Sequence, residues 1–275
     1  MGSYVSARAR GGRWLLRIED LDRNRCRSHL ADEFLQVLEA FGFEWDGSVY
    51  FQSDRIDFYE AALAELRRSG HSYACRCTRA RLAAQSSDPA AEPVYPGTCR
   101  DDPTAGEARH ALRYRIAADA VAVRFEDALQ GSVSQDCRLE AGDFVIRRRD
   151  GHFAYHLAVV VDDELQGITE VVRGADLLSC TPRQILLQRS LGYRTPAYAH
   201  LPLLTEPDGR KLAKSRRSVP LDPRRAAGQL CDVLTWLQQQ PPAELALAGI
   251  PEIWEWALAN WRPARIAGRR EVRLP

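Results

Sequence analysis

Lysine is nearly missing from this chain. Of 38 basic side chains in 275 residues, only Lys211 and Lys214 are lysine, and the rest are arginine. A surplus of either charge is missing too. The net charge is +1, which argues against bulk attraction to nucleic acid or an anionic membrane but leaves room for a local basic face. No apolar run approaches the ~20 residues of a membrane span, and no signal peptide opens the sequence. Seven cysteines at uneven spacing do not suggest a disulfide framework, so the expectation is a reduced, cytoplasmic protein. No internal repeat is present. What remains is ordinary: 45% apolar and 27% charged residues, with enough chain for one large domain or two small ones.

The two lysines stand together in Asp208-Gly209-Arg210-Lys211-Leu212-Ala213-Lys214-Ser215, directly after an Asp-Gly turn signal. An ammonium is a compact point charge that fits between phosphate oxygens, whereas a guanidinium is a planar fork. A glycine-hinged Lys-x-x-Lys-Ser loop therefore suits a triphosphate. A solvated basic turn is the alternative.

Along the chain, Ser3 to Arg10 reads as a helix tail ended by Gly11-Gly12. Arg13 to Ile18 reads as a strand, closing on the carboxylates Glu19, Asp20 and Asp22. Acids just past the carboxyl end of a buried strand sit where open α/β sheets bind ligands. They could hold a metal or the ammonium of an amino acid, or form a turn cluster. Leu30, Phe34, Val37, Leu38 and Phe41 space a helix from Ser28 towards Gly42. A second helix runs from a Ser53 or Asp54 cap through Phe58, Leu63 and Leu66 to Gly70. These apolar residues are expected in the core.

Cys75-x-Cys77 opens a different region. Thr78 to Val94 reads as a flexible loop, and Tyr95-Pro-Gly-Thr-Cys99 follows. Three thiolates could bind zinc, with Tyr95, His71 or a water as the fourth ligand, or they are free thiols beside a loop. Ala111 to Ile116, Val121 to Phe125 and Phe144 to Arg148 read as strands of a small antiparallel insertion with an Asp150-Gly151 hairpin turn. Arg147, Arg148 and Arg149 read as a charged edge.

An α/β pattern then returns with Tyr155 to Val161, Asp162-Asp163, and a strand from Gly167 to Gly174. Thr181 is the expected N-cap of the next helix, with Pro182 at its first position. Arg173, at the strand end, is placed to clamp a carboxylate or to pair with Asp162 or Asp176. Trp236, Trp254, Trp256 and Trp261 are expected as core in a helical C-terminal part. Five arginines between Arg262 and Arg273 are a phosphate contact or a frayed tail.

Several motifs together carry a family resemblance. Arg17-Ile-Glu-Asp-Leu-Asp22, Val161-Asp-Asp-x-x-x-Gly-Ile-Thr169, Val171-Val-Arg-Gly-Ala-Asp176, Ser179-x-Thr-Pro-Arg-Gln184 and Lys211-Leu-Ala-Lys-Ser215 resemble class I glutamyl-tRNA synthetases over nearly the whole chain. Cys75-x-Cys77 with Tyr95-x-x-x-Cys99, and only about 60 residues after Ser215, narrow the resemblance to the short paralogues, the glutamyl-queuosine tRNA(Asp) synthetases. The resemblance implies an α/β fold: a Rossmann-type parallel sheet missing its first strand, a zinc-bearing antiparallel insertion, and a C-terminal helical segment. It divides the chain into 1–70 and 152–220 as halves of the nucleotide-binding fold, 71–151 as the insertion, and 221–275 as the helical end, with no anticodon-binding domain.

The implied chemistry is ATP-dependent activation of L-glutamate to glutamyl-adenylate without tRNA. The glutamyl group then passes to queuosine in the anticodon of tRNA(Asp). Carried over residue by residue, Glu19, Tyr155 and Arg173 bind glutamate, and Lys214 contacts ATP, which arrives with magnesium. Cys75, Cys77, Tyr95 and Cys99 hold one structural zinc, and the protein is a monomer. Ala213 stands where the family usually has serine, a change expected to have a modest effect.

The family also opens with a strand, a glutamate-binding Arg-x-x-Pro-Ser-x-x-Gly segment and a His-containing motif. Met1-Gly-Ser-Tyr4 aligns with the middle of the helix that follows. The expectation is a start misplaced downstream of the true one, with a degenerate paralogue as the alternative, and a polypeptide that as written does not activate glutamate at a useful rate. A truncated glutamyl-tRNA synthetase and a non-catalytic RNA-binding relative are the rival readings.

Overall fold

The computed structural model describes residues 1–22, 26, 28–84, 94–107, 109–117, 122–207 and 221–274. The Lys211–Ser215 motif, residues 85–93 of the expected loop and Val121 lie outside them.

The chain runs α1 (Gly2–Arg8), β1 (Arg17–Ile18), α2 (Ser28–Ala40), β2 (Tyr50–Phe51), α3 (Ile56–Arg68), β3 (Ser72–Cys75) and α4 (Arg79–Ala83). It continues through β4 (Ala111–Tyr114), β5 (Val123–Asp127), β6 (Gly131–Gln135), α5 (Cys137–Glu140), β7 (Val145–Arg147), α6 (Tyr155–Leu165) and β8 (Glu170–Gly174). It ends with α7 (Thr181–Leu191), β9 (Ala197–Leu201), β10 (Leu203–Thr205), α8 (Ala226–Trp236), α9 (Ile250–Asn260) and β11 (Glu271–Arg273).

The largest sheet has the order β6-β5-β9-β8, with β8 and β5 both parallel to β9 and β6 antiparallel to β5. β1 pairs in parallel with β2 as a separate ladder. A cleft of about 640 Å³ separates that ladder from β8, walled by Trp14, Leu16, Val171 and Val172. The antiparallel insertion is β3-β4-β7, with the Asp150-Gly151 turn closing as expected: Arg148 N–H donates to His152 O at 2.8 Å. The expectation that the Val121 to Phe125 strand belongs there is corrected. β5 lies beside β9, because its inward residues Val123 and Asp127 are buried against α7 and β9 rather than against β4.

One core lies between the strands and α3, α6 and α7, with Tyr59, Leu157, Leu187 and Tyr198 at its centre. A second gathers Tyr4, Val5, Phe41, Leu234, Ile253, Trp254 and Trp261 under α1, α8 and α9. Each such side chain contributes roughly 1.5–3 kcal/mol by leaving water. Trp254 and Trp261 are thus core, and Trp254 Nε1–H donates to Phe41 O at 2.9 Å.

Other local expectations fail for tertiary reasons. Leu30, Phe34 and Phe58 are 46%, 49% and 48% exposed. Helical periodicity shows which residues share a face but not whether anything covers it. The N-cap of α3 is Arg55, because Ser53 is drawn away to Asp20. The N-cap of α7 is Cys180, because the Thr181 hydroxyl is engaged by Arg173. The arginine-rich end is not frayed, since β11 pairs in parallel with β10.

Candidate functional site

Arg173 sits near the carboxyl end of β8, and the sheet turns its side chain towards α6 and α7. Its Nε–H donates to His200 Nε2 (3.1 Å) and Nη1–H to the Tyr155 hydroxyl (3.3 Å). Nη2–H donates to Thr181 Oγ1 (2.8 Å) and Gln184 Oε1 (2.7 Å). None of these partners is an anion, so the guanidinium is oriented without being neutralised by them. Tyr155 is the first residue of α6, and burial raises its pKa, with Arg173 opposing and Glu19 adding to the rise.

Glu19 lies just beyond β1. Loss of water in its cleft pushes its carboxyl above the ordinary value; Arg17 opposes this, Asp163 and Asp162 add to it, and Arg173 opposes it more weakly. Glu19, Tyr155 and Arg173, picked out separately along the chain, therefore share one electrostatic neighbourhood. The other two acids of the cluster have structural partners. Asp20 accepts from the Ser53 N–H and hydroxyl at 2.8 and 2.6 Å, and Asp22 accepts from Arg148 at 3.1 Å.

A second constellation holds Cys75, Cys77 and Cys99, whose sulfurs all lie within 4.8 Å of one another. The Tyr95 hydroxyl is 3.4 Å from Cys75 Sγ and 3.8 Å from Cys77 Sγ, and Cys77 Sγ is 3.6 Å from Cys99 Sγ. Tetrahedral zinc with bonds of about 2.3 Å to sulfur and 2.0 Å to oxygen places two sulfurs about 3.8 Å apart and sulfur and oxygen about 3.5 Å apart. The three separations measured here differ from those values by about 0.3 Å or less, so these donors are arranged compatibly with such an ion. His71 instead bonds Ser69 Oγ and stacks on Tyr114. Tyr95 is held by a bridge to Gly142, where φ is 63° and an added Cβ would meet the Tyr95 backbone N at 2.8 Å, so only glycine fits. Arg113 Nε–H donates to Cys75 Sγ at 3.2 Å, and its guanidinium lies over the Tyr95 ring.

The family described as tRNA synthetases class I (E and Q), catalytic domain, matches residues 1–228. The chain is 49% identical over 266 residues to the glutamyl-Q tRNA(Asp) synthetase of Pseudomonas aeruginosa, covering 97% of this chain and 88% of that one. It is 47% identical over 277 residues to the protein of the same name from Dechloromonas aromatica, covering 100% and 91%.

The chain belongs to the glutamyl-Q tRNA(Asp) synthetases.

Members of this class I family are ligases, and so is this chain. Its fold is similar to the crystal structure of a glutamate tRNA ligase from Elizabethkingia meningosepticum in complex with its amino acid (TM-score 0.76, 22% identity), covering 100% of this chain and 62% of that one. Among the described residues no helix is long and apolar enough to cross a membrane.

Within this synthetase, a cavity of about 820 Å³ opens beside Tyr155 and extends to Cys77, with Arg113, Arg148, Phe144 and His156 among its walls. Burial, with Arg183 and Arg173 nearby, lowers the His156 pKa to about 3 and keeps the ring neutral.

Sequence reasoning missed three polar residues that organise the site. Asp162 is fully buried and accepts from Arg55 Nε (2.6 Å), Tyr59 Oη (2.8 Å) and Gln52 Nε2 (2.9 Å). It ties α6 to α3 and to the turn after β2, and these contacts leave it committed elsewhere than Arg173. Its place in the Val161-Asp-Asp motif was the available signal. Asp127 and His200 form a buried pair behind Arg173, and neither stood in a quoted motif.

Proposed function

We propose that the reaction of this synthetase is activation of L-glutamate with ATP to glutamyl-adenylate without tRNA, followed by transfer of the glutamyl group to queuosine in the anticodon of tRNA(Asp). The observation that carries this reading is Arg173. Its guanidinium is fixed by His200, Thr181 and Gln184, beside Tyr155 and within the field of Glu19. A neighbouring cation, carboxylate and phenol complement an amino acid, which carries an ammonium and carboxylates. The names of the relatives supply the acceptor tRNA.

In this reading Glu19 accepts from the α-ammonium, Tyr155 hydrogen-bonds it, and Arg173 holds a carboxylate. An α-carboxylate oxygen attacks the α-phosphorus and pyrophosphate leaves. Lys214 stabilises charge on the phosphates, an electrostatic role for which a compact ammonium is suited. The acceptor nucleoside then enters the cavity beside Tyr155, whose arginine-bearing wall suits a polyanion, and AMP leaves as the glutamyl bond to the nucleoside forms. Cys75, Cys77, Tyr95 and Cys99 would hold one structural zinc, and Cys77 and Tyr95 line the far wall of that cavity.

The test is glutamate-dependent ATP–pyrophosphate exchange, with and without tRNA, on this chain and on a form extended by the codons preceding it in frame. Exchange in either form without tRNA, together with labelled glutamate appearing on queuosine-containing tRNA(Asp), is expected. Exchange only with tRNA, with charging of the tRNA 3′ end, would favour a glutamyl-tRNA synthetase. Silence from both folded forms would overturn the catalytic reading.

A further inference from the structure

Arg173 is always a donor, since a guanidinium has no acceptor atom and does not lose its proton in proteins. Its Nε–H points at His200 Nε2 from 3.1 Å, so Nε2 offers its lone pair there, and the Thr181 hydroxyl, which accepts from Arg173 Nη2–H and lies 3.2 Å from the same nitrogen, can turn its own proton towards it. A proton on Nε2, in the other neutral tautomer or in imidazolium, would set two N–H groups against each other. His200 Nδ1 faces Asp127 Oδ2 at 2.5 Å, and both side chains are completely buried. Nδ1 therefore carries the proton and donates it to the carboxylate. The Asp127 carboxylate is itself immobilised, because Oδ1 accepts from the backbone N–H groups of Leu129 (3.0 Å), Gln130 (2.8 Å) and His200 (3.1 Å). β5, β9 and β8 lie side by side, and His200 is the direct register partner of Arg173.

We propose that Asp127 and His200 are positioning residues for glutamate recognition: Asp127 sets the histidine tautomer, and His200 Nε2 sets the plane of the Arg173 guanidinium. The proposal rests on the reading of Arg173 as a glutamate ligand. A carboxylate held by an arginine fork is sensitive to the plane of that fork. The tautomer two side chains away therefore acts on glutamate and not on ATP.

Asp127→Asn decides the matter because it is nearly isosteric. The three backbone donors keep the amide oxygen on their side, so the NH₂ faces His200 Nδ1. The imidazole must then accept at Nδ1 and carry its proton at Nε2, against the Arg173 Nε–H. His200→Gln keeps an acceptor where Nε2 stood, whereas His200→Asn keeps only the Asp127 contact. The first readout is ¹⁵N chemical shifts of labelled histidine. His200 is expected as the Nδ1–H tautomer in the parent and as the Nε2–H tautomer in Asp127→Asn.

The second readout is glutamate and ATP KM in exchange, or glutamate affinity by calorimetry. Asp127→Asn and His200→Asn are expected to weaken glutamate by about tenfold or more, the worth of one charge-assisted hydrogen bond. ATP should stay within about twofold, since the chain of contacts from Asp127 ends on Arg173, and His200→Gln should be milder, since it keeps an acceptor where Nε2 stood. An unchanged tautomer in Asp127→Asn, equal glutamate losses in His200→Gln and His200→Asn, or parallel losses for ATP would overturn the proposal. Arg173→Lys is the control that separates the two readings. If it leaves glutamate binding intact, the assignment of Arg173 has failed, whatever the tautomer of His200.

Discussion

Replacing Asp162 by alanine tests how the two halves of the site are joined. Asp162 has no exposed surface and takes hydrogen bonds from Arg55, Tyr59 and Gln52, with Arg17 Nε 3.6 Å away. Truncation leaves the Arg55 and Arg17 guanidinia, only 12% and 17% exposed, without their shared buried anion. Breaking a buried pair from one side costs about 3–5 kcal/mol, mainly because the remaining charge stays desolvated. Three hydrogen bonds to a charged acceptor at about 1.5 kcal/mol each give a similar total. At about 2 °C per kcal/mol for a chain of this length, the midpoint should fall by about 6–10 °C. Asp162→Asn also removes the anion, but it keeps one oxygen for Arg55 and allows the Tyr59 hydroxyl to turn and accept, so it should lose less than alanine does. The assay is thermal unfolding followed by far-ultraviolet circular dichroism at pH 7. A fall of less than about 3 °C for the alanine variant, or a larger loss for asparagine than for alanine, would refute the view of Asp162 as the joint.

Two further outcomes are expected. The purified protein should contain one zinc per chain; chelation should expose three additional thiols to a thiol reagent, and Cys99→Ser should lose the metal, because closely held thiolates are stabilised by the ion they share. Zinc-free protein with the same thiol accessibility would contradict this. His156 should make the fold acid-sensitive. Its pKa is about 3 in the fold against an ordinary 6.5, so the unfolded chain binds the extra proton between those values and stability is lost as pH falls from 6.5. The contribution is at most about 1.4 kcal/mol per pH unit, and His156→Gln should flatten the decline in midpoint between pH 6.5 and 5. An identical decline in the variant would show that the ring is not held neutral.

Much of this protein could be read from local patterns. Gly11, Gly42 and Gly70 stop helices where they were expected, and Asp150-Gly151 turns a hairpin. The motifs around Glu19, Asp162, Arg173 and the cysteines announced the family. Such features act over a few residues of backbone, or as short spaced strings, so the order of amino acids determines them before any packing occurs. Tertiary structure decided what lies far apart in sequence. Only the sheet order brings Asp127 beside His200, which is 73 residues away. Only the approach of α2 to its neighbours decides that Phe41 is buried while Phe34, on the same helical stripe, is not. Ser53 looked like a cap until Asp20 claimed it, and Thr181 until Arg173 did. In each case a polar group had a choice between a local partner and a distant one, and burial made the distant bond stronger by removing the water that competes for it.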